Sequence, residues 1–275
     1  MPEADVVWRT ARRLDQALAG RELVRVDLRW PSLATVNLTG RRVDAVASTG
    51  KHVLVRIAAA PGAPAVTLHS HLRMDGSWHV HRTGQGRAAG GPASGVRAVL
   101  ANREWTAVGH DLGMLDLVAT AEEETLVGHL GPDVLGPTWD AVTAAENLAA
   151  DPGRPVGEAL LDQRVLAGVG TFFMAEVLFV LGVTPWTPVG SLADPRVVVD
   201  RVRDMIALSA RSALQTTTGD SRPGRRQYVH ARAGRPCRRC GTTVRVAPLG
   251  AAPQERVAFY CPHCQHGPLP GGPVE

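Results

Sequence analysis

Cys237-Arg238-Arg239-Cys240 stands 20 residues before Cys261-Pro262-His263-Cys264, and the two pairs use all 4 cysteines of the chain. Four thiolates suit one tetrahedral zinc ion, each C-x-x-C turn presenting two sulfurs to it. The alternatives are two disulfides or four idle thiols. A secreted, disulfide-bonded chain would need an export signal, and MPEADVVWRTARRL has acids early and no apolar core. Between the pairs, Val244-Arg245-Val246, a Gly/Pro turn from Pro248 to Pro253 and Arg256-Val257-Ala258-Phe259-Tyr260 read as strand, turn, strand. A ribbon this small cannot bury a core, so a structural metal is expected to supply its stability. Arg235, Arg238, Arg239, Arg245 and Arg256 make it basic. That suits nucleic acid but does not say what is done to it.

The remaining composition sets bounds. A length of 275 residues suggests two domains with the ribbon as an appendix. A net charge of +4 permits a nucleic-acid partner without requiring one. No run of about 18 apolar residues occurs, so no membrane span is expected, and the expectation is a monomer of the cytosol. Of 30 Lys+Arg residues only Lys51 is lysine. Where charge alone matters this chain uses Arg. A lone Lys therefore marks a position for a compact ammonium able to lose its proton, or a chance survivor on a strand edge.

Asp5 to Leu18 reads as an amphipathic helix ended by Gly20, which puts Glu3 just before a helix start, a favourable place for a negative charge. From Leu23 to about Leu117 the chain reads mainly as strands, at 23–28, 43–46, 52–57, 66–72, 77–81, 96–100 and 115–118. Thr49-Gly50-Lys51 is then a turn, with Lys51 at a hairpin tip. Thr83 to Ser94 is a Gly-rich loop. Regular turns and few helices suggest a β-sandwich. His69/His71 and His79/His81 are i, i+2 pairs, each on one strand face. Without a carboxylate at ligand spacing they read as a polar face toward solvent or phosphates rather than a second metal site. Helices follow from Asp140 to Ala150, Arg154 to Leu161, Phe172 to Leu181 and Leu192 to Leu214. Leu166-Ala167-Gly168-Val169-Gly170-Thr171 lies between two of them, not after a strand, and lacks a third Gly, so it is a poor dinucleotide fingerprint. Either it is a tight interhelical turn, or its amides at a helix N-terminus hold an anion such as a DNA phosphate.

Together, Pro2-Glu3, SHLRMDGSW at 70–78, LLDQRVLAGVGTFFMAEVLF at 160–179 and the ribbon resemble bacterial formamidopyrimidine-DNA glycosylase and endonuclease VIII over residues 2 to about 266. TGKHVL (49–54), VGHDLG (108–113) and HLGPD (129–133) resemble the actinobacterial endonuclease VIII-like branch. The resemblance implies an α+β protein with an N-terminal helix and two-layered β-sandwich at 2–120. A linker at 121–150, a helix–two-turns–helix domain at 151–226, a zinc finger at 230–266 and a disordered tail at 267–275 would follow, with damaged DNA in a cleft between the halves. It implies base excision repair: a glycosylase and abasic-site lyase for oxidised bases, on the pyrimidine side, acting on duplex, bubble or single-stranded DNA. Removal of Met1 would expose the Pro2 amine, whose pKa of roughly 8 leaves a useful neutral fraction. That amine would attack C1′ and form an iminium, opening the way to β,δ-elimination. By the same resemblance Glu3 is the acid for ring opening, Lys51 the hairpin lysine and Arg256 the finger arginine at the lesion phosphate. Met74 is the wedge that fills the vacated stack, beside Arg73. His71, Gly168, Gly170, Thr171 and Arg232 fall among the DNA-binding positions, and Cys237, Cys240, Cys261 and Cys264 hold structural Zn2+.

Three departures bear on activity. Thr171 replaces an Asn that grips phosphates, with one hydroxyl donor in place of two N–H donors. Ala4 replaces Gly, and its methyl is expected near the catalytic amine. Val229-His230-Ala231-Arg232 replaces a Tyr-Gly-Arg ending. They keep open a relative that binds damaged or branched DNA without efficient cutting. An unrelated zinc-ribbon nucleic-acid-binding protein is the third reading.

Overall fold

A computed structural model describes residues 2–84 and 93–270. The core of the loop expected at 83–94 and the last five residues of the expected tail lie outside the described residues. The chain forms two compact units, one of Pro2 with Val6–His129 and one of Glu3–Asp5 with the chain from Leu130 onward.

In the first unit, α1 (Ala4–Leu18) buries Val7, Ala11, Leu14 and Leu18 at helical spacing. The strands are β1 (Arg25–Leu28), β2 (Val43–Thr49), β3 (His52–Ile57), β4 (Val66–His71), β5 (Ser77–Arg82), β6 (Val96–Ala101), β7 (Trp105–His110) and β8 (Met114–Ala119). They form two four-stranded sheets, ordered β1-β6-β7-β5 and β2-β3-β4-β8. Val53, Val55, Leu68 and Leu115 of the second sheet join Trp78, Leu100 and Ala107 of the first in one core. That is the expected sandwich. The strand reading missed β7. It is an interior strand between β6 and β5, and Ala107-Val108-Gly109-His110 is buried throughout, so it shows no alternation. Gly109 belongs there because a Cβ would come 2.7 Å from Leu112 and 3.3 Å from the Trp78 ring.

The expected helix from Asp140 to Ala150 is present in the segment 121–150. That segment holds α2 (Glu124–Val127) and α3 (Ala141–Ala149). Asp140 caps α3 by accepting from Val142 and Thr143 N–H, and Ala144 and Leu148 are buried in the second unit's core. That core also takes α4 (Val156–Leu161), α5 (Thr171–Leu181) and α6 (Pro195–Ala210). α5 is its centre, with every residue from Thr171 to Phe179 buried. β9 (Arg245–Leu249) and β10 (Arg256–Tyr260) pair antiparallel as the expected ribbon. The ribbon does not stand alone: Leu249 and Ala258 enter the α5 core, and Phe179 stacks on Tyr228 at 5.3 Å. Within the expected tail, the Pro268 carbonyl accepts from Thr184 Oγ1 at 2.7 Å. No helix among the described residues is long and apolar enough to cross a membrane.

Candidate active site and metal centre

The four cysteine sulfurs lie within 4.8 Å of one another. Cys237 Sγ is 3.9 Å from Cys264 Sγ, and Cys240 Sγ is 3.5 Å from Cys261 Sγ. Sulfurs about 2.3 Å from one ion sit about 3.8 Å apart in a tetrahedron, whereas a disulfide needs about 2.05 Å. The donor set fits one metal ion and rules out both disulfides.

Glu3 is fully buried and meets the start of α5. Its Oε2 accepts from Gly170 N at 2.8 Å and from Phe173 N at 3.3 Å, and its Oε1 accepts from Phe172 N at 2.8 Å. These are the orphan donors of a helix N-terminus, which favours an anion. The anion is Glu3, not a phosphate, and this corrects the reading of Gly168 and Gly170 as a DNA contact through their amides. Gly168 N donates instead to Gln163 Oε1 at 2.9 Å. The two glycines make room for residues 3 and 4. A Cβ on Gly170 would lie 2.5 Å from Glu3 Oε1, and one on Gly168, at φ 110°, would lie 2.6 Å from the Ala4 Cβ. The Ala4 methyl thus packs on Gly168 and Val134. It is spent in the core, contrary to the expectation that it narrows a pocket. Thr171 is only 7% exposed. Asp5 is anchored alongside, accepting from Ser209 Oγ at 2.7 Å and Gln215 Nε2 at 3.0 Å. Pro2 is half-buried.

Lys51 sits where the sequence puts it. Thr49 pairs with His52, so Gly50 and Lys51 are the two turn residues, and Gly50 takes φ 57° at the first of them, as a type II′ turn requires. His52 lies opposite His71 on β4, and the Lys51 charge helps lower the pKa of both rings. Burial is the larger cause, and with the neighbouring rings and cations it takes His52 to about 3 and His71 to about 4. Next on the chain, Gly76 N donates to Leu72 O at 2.9 Å and closes a tight loop. Leu72 is its buried foot, and Arg73 and Met74 are displayed, Met74 at 62% exposure. Arg73 takes φ 54°.

In the second unit Arg256 is exposed at the start of β10. Arg232 is turned inward instead. Its guanidinium donates to the Tyr228 carbonyl and, at 2.8 Å, to the Pro236 carbonyl, so it staples the segment before the ribbon.

Sequence reasoning passed over Glu176. It is fully buried on α5 and accepts from Thr217 Oγ1 and from Tyr228, Val229 and His230 N–H at 2.5–2.8 Å. Burial raises its pKa against those donors. Glu176→Ala strands four donors, two of them in fully buried bonds, and we expect it to lower unfolding free energy by about 3–5 kcal/mol in a denaturant titration. An unchanged midpoint would mean the segment 217–230 finds other acceptors.

A family profile described as the formamidopyrimidine-DNA glycosylase N-terminal domain matches residues 1–111. The chain is 51% identical to a probable endonuclease 8 2 of Streptomyces coelicolor, covering 98% of this chain and 96% of that protein. It is 47% identical to the DNA-(apurinic or apyrimidinic site) lyase Nei2 of Mycolicibacterium smegmatis, covering 96% and 99%. Among solved structures it is similar to Lactococcus lactis Fpg in complex with abasic-site DNA, with a TM-score of 0.78 at 18% identity over 96% of this chain and 100% of that one.

Proposed function

The chain belongs to the formamidopyrimidine-DNA glycosylase and endonuclease 8 family, and on that premise we propose that it excises oxidised pyrimidines and cuts the resulting abasic site through a Pro2 Schiff base. The observation that carries this reading is the buried Glu3, clamped by the α5 amides directly after Pro2 in the chain. A carboxylate held this firmly can serve one reaction centre without drifting.

In the proposed sequence the neutral Pro2 nitrogen bonds to C1′ as the C1′–base bond breaks, and the base leaves with the electron pair and takes up a proton. The proton on the new ammonium passes by way of Glu3 to O4′, the C1′–O4′ bond opens and an iminium remains. Loss of a C2′ proton then breaks the C3′–O bond, and loss of a C4′ proton breaks the C5′–O bond. Lys51 serves these eliminations as a compact ammonium that can release its proton. Arg256 binds the lesion phosphate, aimed by a zinc ion in the four-cysteine cluster. Met74, Arg73 and His71 enter the helix or grip its backbone. The zinc supplies no chemistry to the sugar. The protein acts as a monomer on duplex DNA, with bubbles and single strands as further substrates. Its place of work is the cytosol at the nucleoid.

Single-turnover cleavage of three duplexes, carrying one oxidised pyrimidine, one oxidised guanine or one abasic site, tests this. The pyrimidine and abasic duplexes are expected to be cut fastest. Tight binding of all three without cutting would establish the binding-only alternative instead.

A further inference from the structure

The second unit contains a cleft that the proposed chemistry leaves unused. It has a volume of about 1220 Å³ and lies beside the tip of the ribbon. Its walls come from α4, the chain between Gly182 and Ala193, the ribbon tip at 248–251 and the segment 266–270. Pro155, Pro188, Pro248, Pro268 and Pro270 line it, and none of them has a backbone N–H to offer. Leu269, also in the lining, is 43% exposed. Among the described residues of the lining, Glu158 is the only Asp, Glu, Lys or Arg.

Backbone pairing brings this acid and an aromatic ring to one wall. Val156 N donates to Thr187 O at 2.8 Å and Gly157 N to Pro185 O at 2.9 Å, so 155–158 runs antiparallel to 185–188, with Pro155 opposite Pro188. Both side chains then meet the ribbon tip. Trp186 Nε1 donates to the Pro248 carbonyl at 3.1 Å, and Tyr260 meets the Trp186 ring edge-on at 4.9 Å, so the indole is fixed. The Glu158 carboxylate faces Gly250, where a Cβ would lie 3.5 Å from its Oε2. Glu158 is half-buried, and no hydrogen bond or ion pair holds its carboxylate among the described residues. The nearest arginine in sequence, Arg154, is engaged by Asp162 at 3.1 Å.

We propose that this cleft docks an extended segment of a partner protein in which an apolar side chain stands beside a Lys or Arg. The volume exceeds that of the usual small-molecule pocket, roughly 300–1,000 Å³. A cation entering here finds a carboxylate and an indole at one ribbon tip, and the two act together on an ammonium or guanidinium. An apolar neighbour covers the prolines and Leu269. The lack of N–H groups on five lining residues points the same way, because the occupant must bring its own donors. DNA does not fit, since a phosphate would meet the Glu158 charge with no Lys or Arg in the lining. The chain's own last residues, Gly271 to Glu275, bring an acid and no base. Docking of this kind does not depend on the proposed cutting activity.

The Trp186 indole N–H resonance, identified by its loss in Trp186→Phe, reports occupancy directly. The probe is the capped pentapeptide Leu-Lys-Leu-Lys-Leu, with two further forms in which both Lys are replaced by Gln or by Glu. The Lys form is expected to shift that resonance saturably and to bind about tenfold more tightly than the Gln form, with the Glu form weaker still. Glu158→Gln should erase the preference for Lys over Gln while keeping the thermal midpoint. No saturable shift with the Lys form overturns the proposal, as does equal binding of the three forms or a Lys preference that survives Glu158→Gln. So does a resonance that moves on dilution, which would make a second copy the occupant, or on removal of residues 271–275, which would make it the chain's own end. A shift with undamaged duplex DNA in place of the peptide would make the occupant nucleic acid and overturn it as well.

Discussion

Glu3→Gln is expected to slow base release by about 10²–10⁴-fold and to lower stability by about 2–4 kcal/mol. The change keeps the shape and removes one acceptor oxygen. Wild-type Glu3 uses both oxygens, toward Gly170, Phe172 and Phe173 N–H. Whichever way the Gln amide turns, its NH2 points a donor at a backbone donor in a site with no exposure. The buried amide opposite is left unsatisfied. Glu3→Asp keeps the charge but shortens the reach, so it should recover part of the stability and little of the rate. Single-turnover base release and the thermal midpoint, read on the same preparations, check this. A Gln variant with wild-type rate would remove Glu3 from the chemistry and leave it a helix cap.

Stripping the metal from the four-cysteine cluster is expected to abolish strand cleavage, with recovery on adding zinc. Structural zinc contributes roughly 10–16 kcal/mol of binding free energy to small sites of this kind. Here its loss also spreads. Cys237 and Cys261 share a cluster with Phe179 of α5, Val229 and Val244, and Arg239 lies over the Phe179 ring at 4.5 Å. Ribbon unfolding would expose that cluster and release Arg256, while the sandwich, with its own core, keeps its transition. Cys261→Ser should reproduce the stripped state. Metal-free protein that still cuts abasic DNA at the normal rate would mean that the ribbon does not engage the lesion strand.

Patterns of short range were the legible ones. Two C-x-x-C pairs carry their geometry in their spacing, and a local turn places Lys51 between Thr49 and His52. The G-x-G segment shows the limit. Of its two open readings, a tight turn or amides holding an anion, the Gly170 and Phe172 amides show the second, with Glu3 as the anion. The anion lies 167 residues away in sequence, and no local pattern names Glu3 as the occupant. The same holds for Glu176, whose donors are 41 to 54 residues distant. The carboxylate missing from the neighbourhood of the His69/His71 pair in sequence arrives from β8, where Asp116 pairs in register with His69. β7 escaped because an interior strand has no wet face to alternate against. The helix read from Asp140 to Ala150 was legible, and α3 sits there; the short α2 was not read.

The central claim is that the Pro2 nitrogen is the nucleophile, and borohydride trapping on an abasic-site duplex tests it most directly. Reduction during turnover is expected to give a one-to-one protein–DNA adduct whose N-terminal peptide carries the sugar remnant on Pro2, and Pro2→Gly or retention of Met1 should remove that adduct. An adduct mapped to Lys51, or none at all from protein that cuts the same DNA, would contradict it.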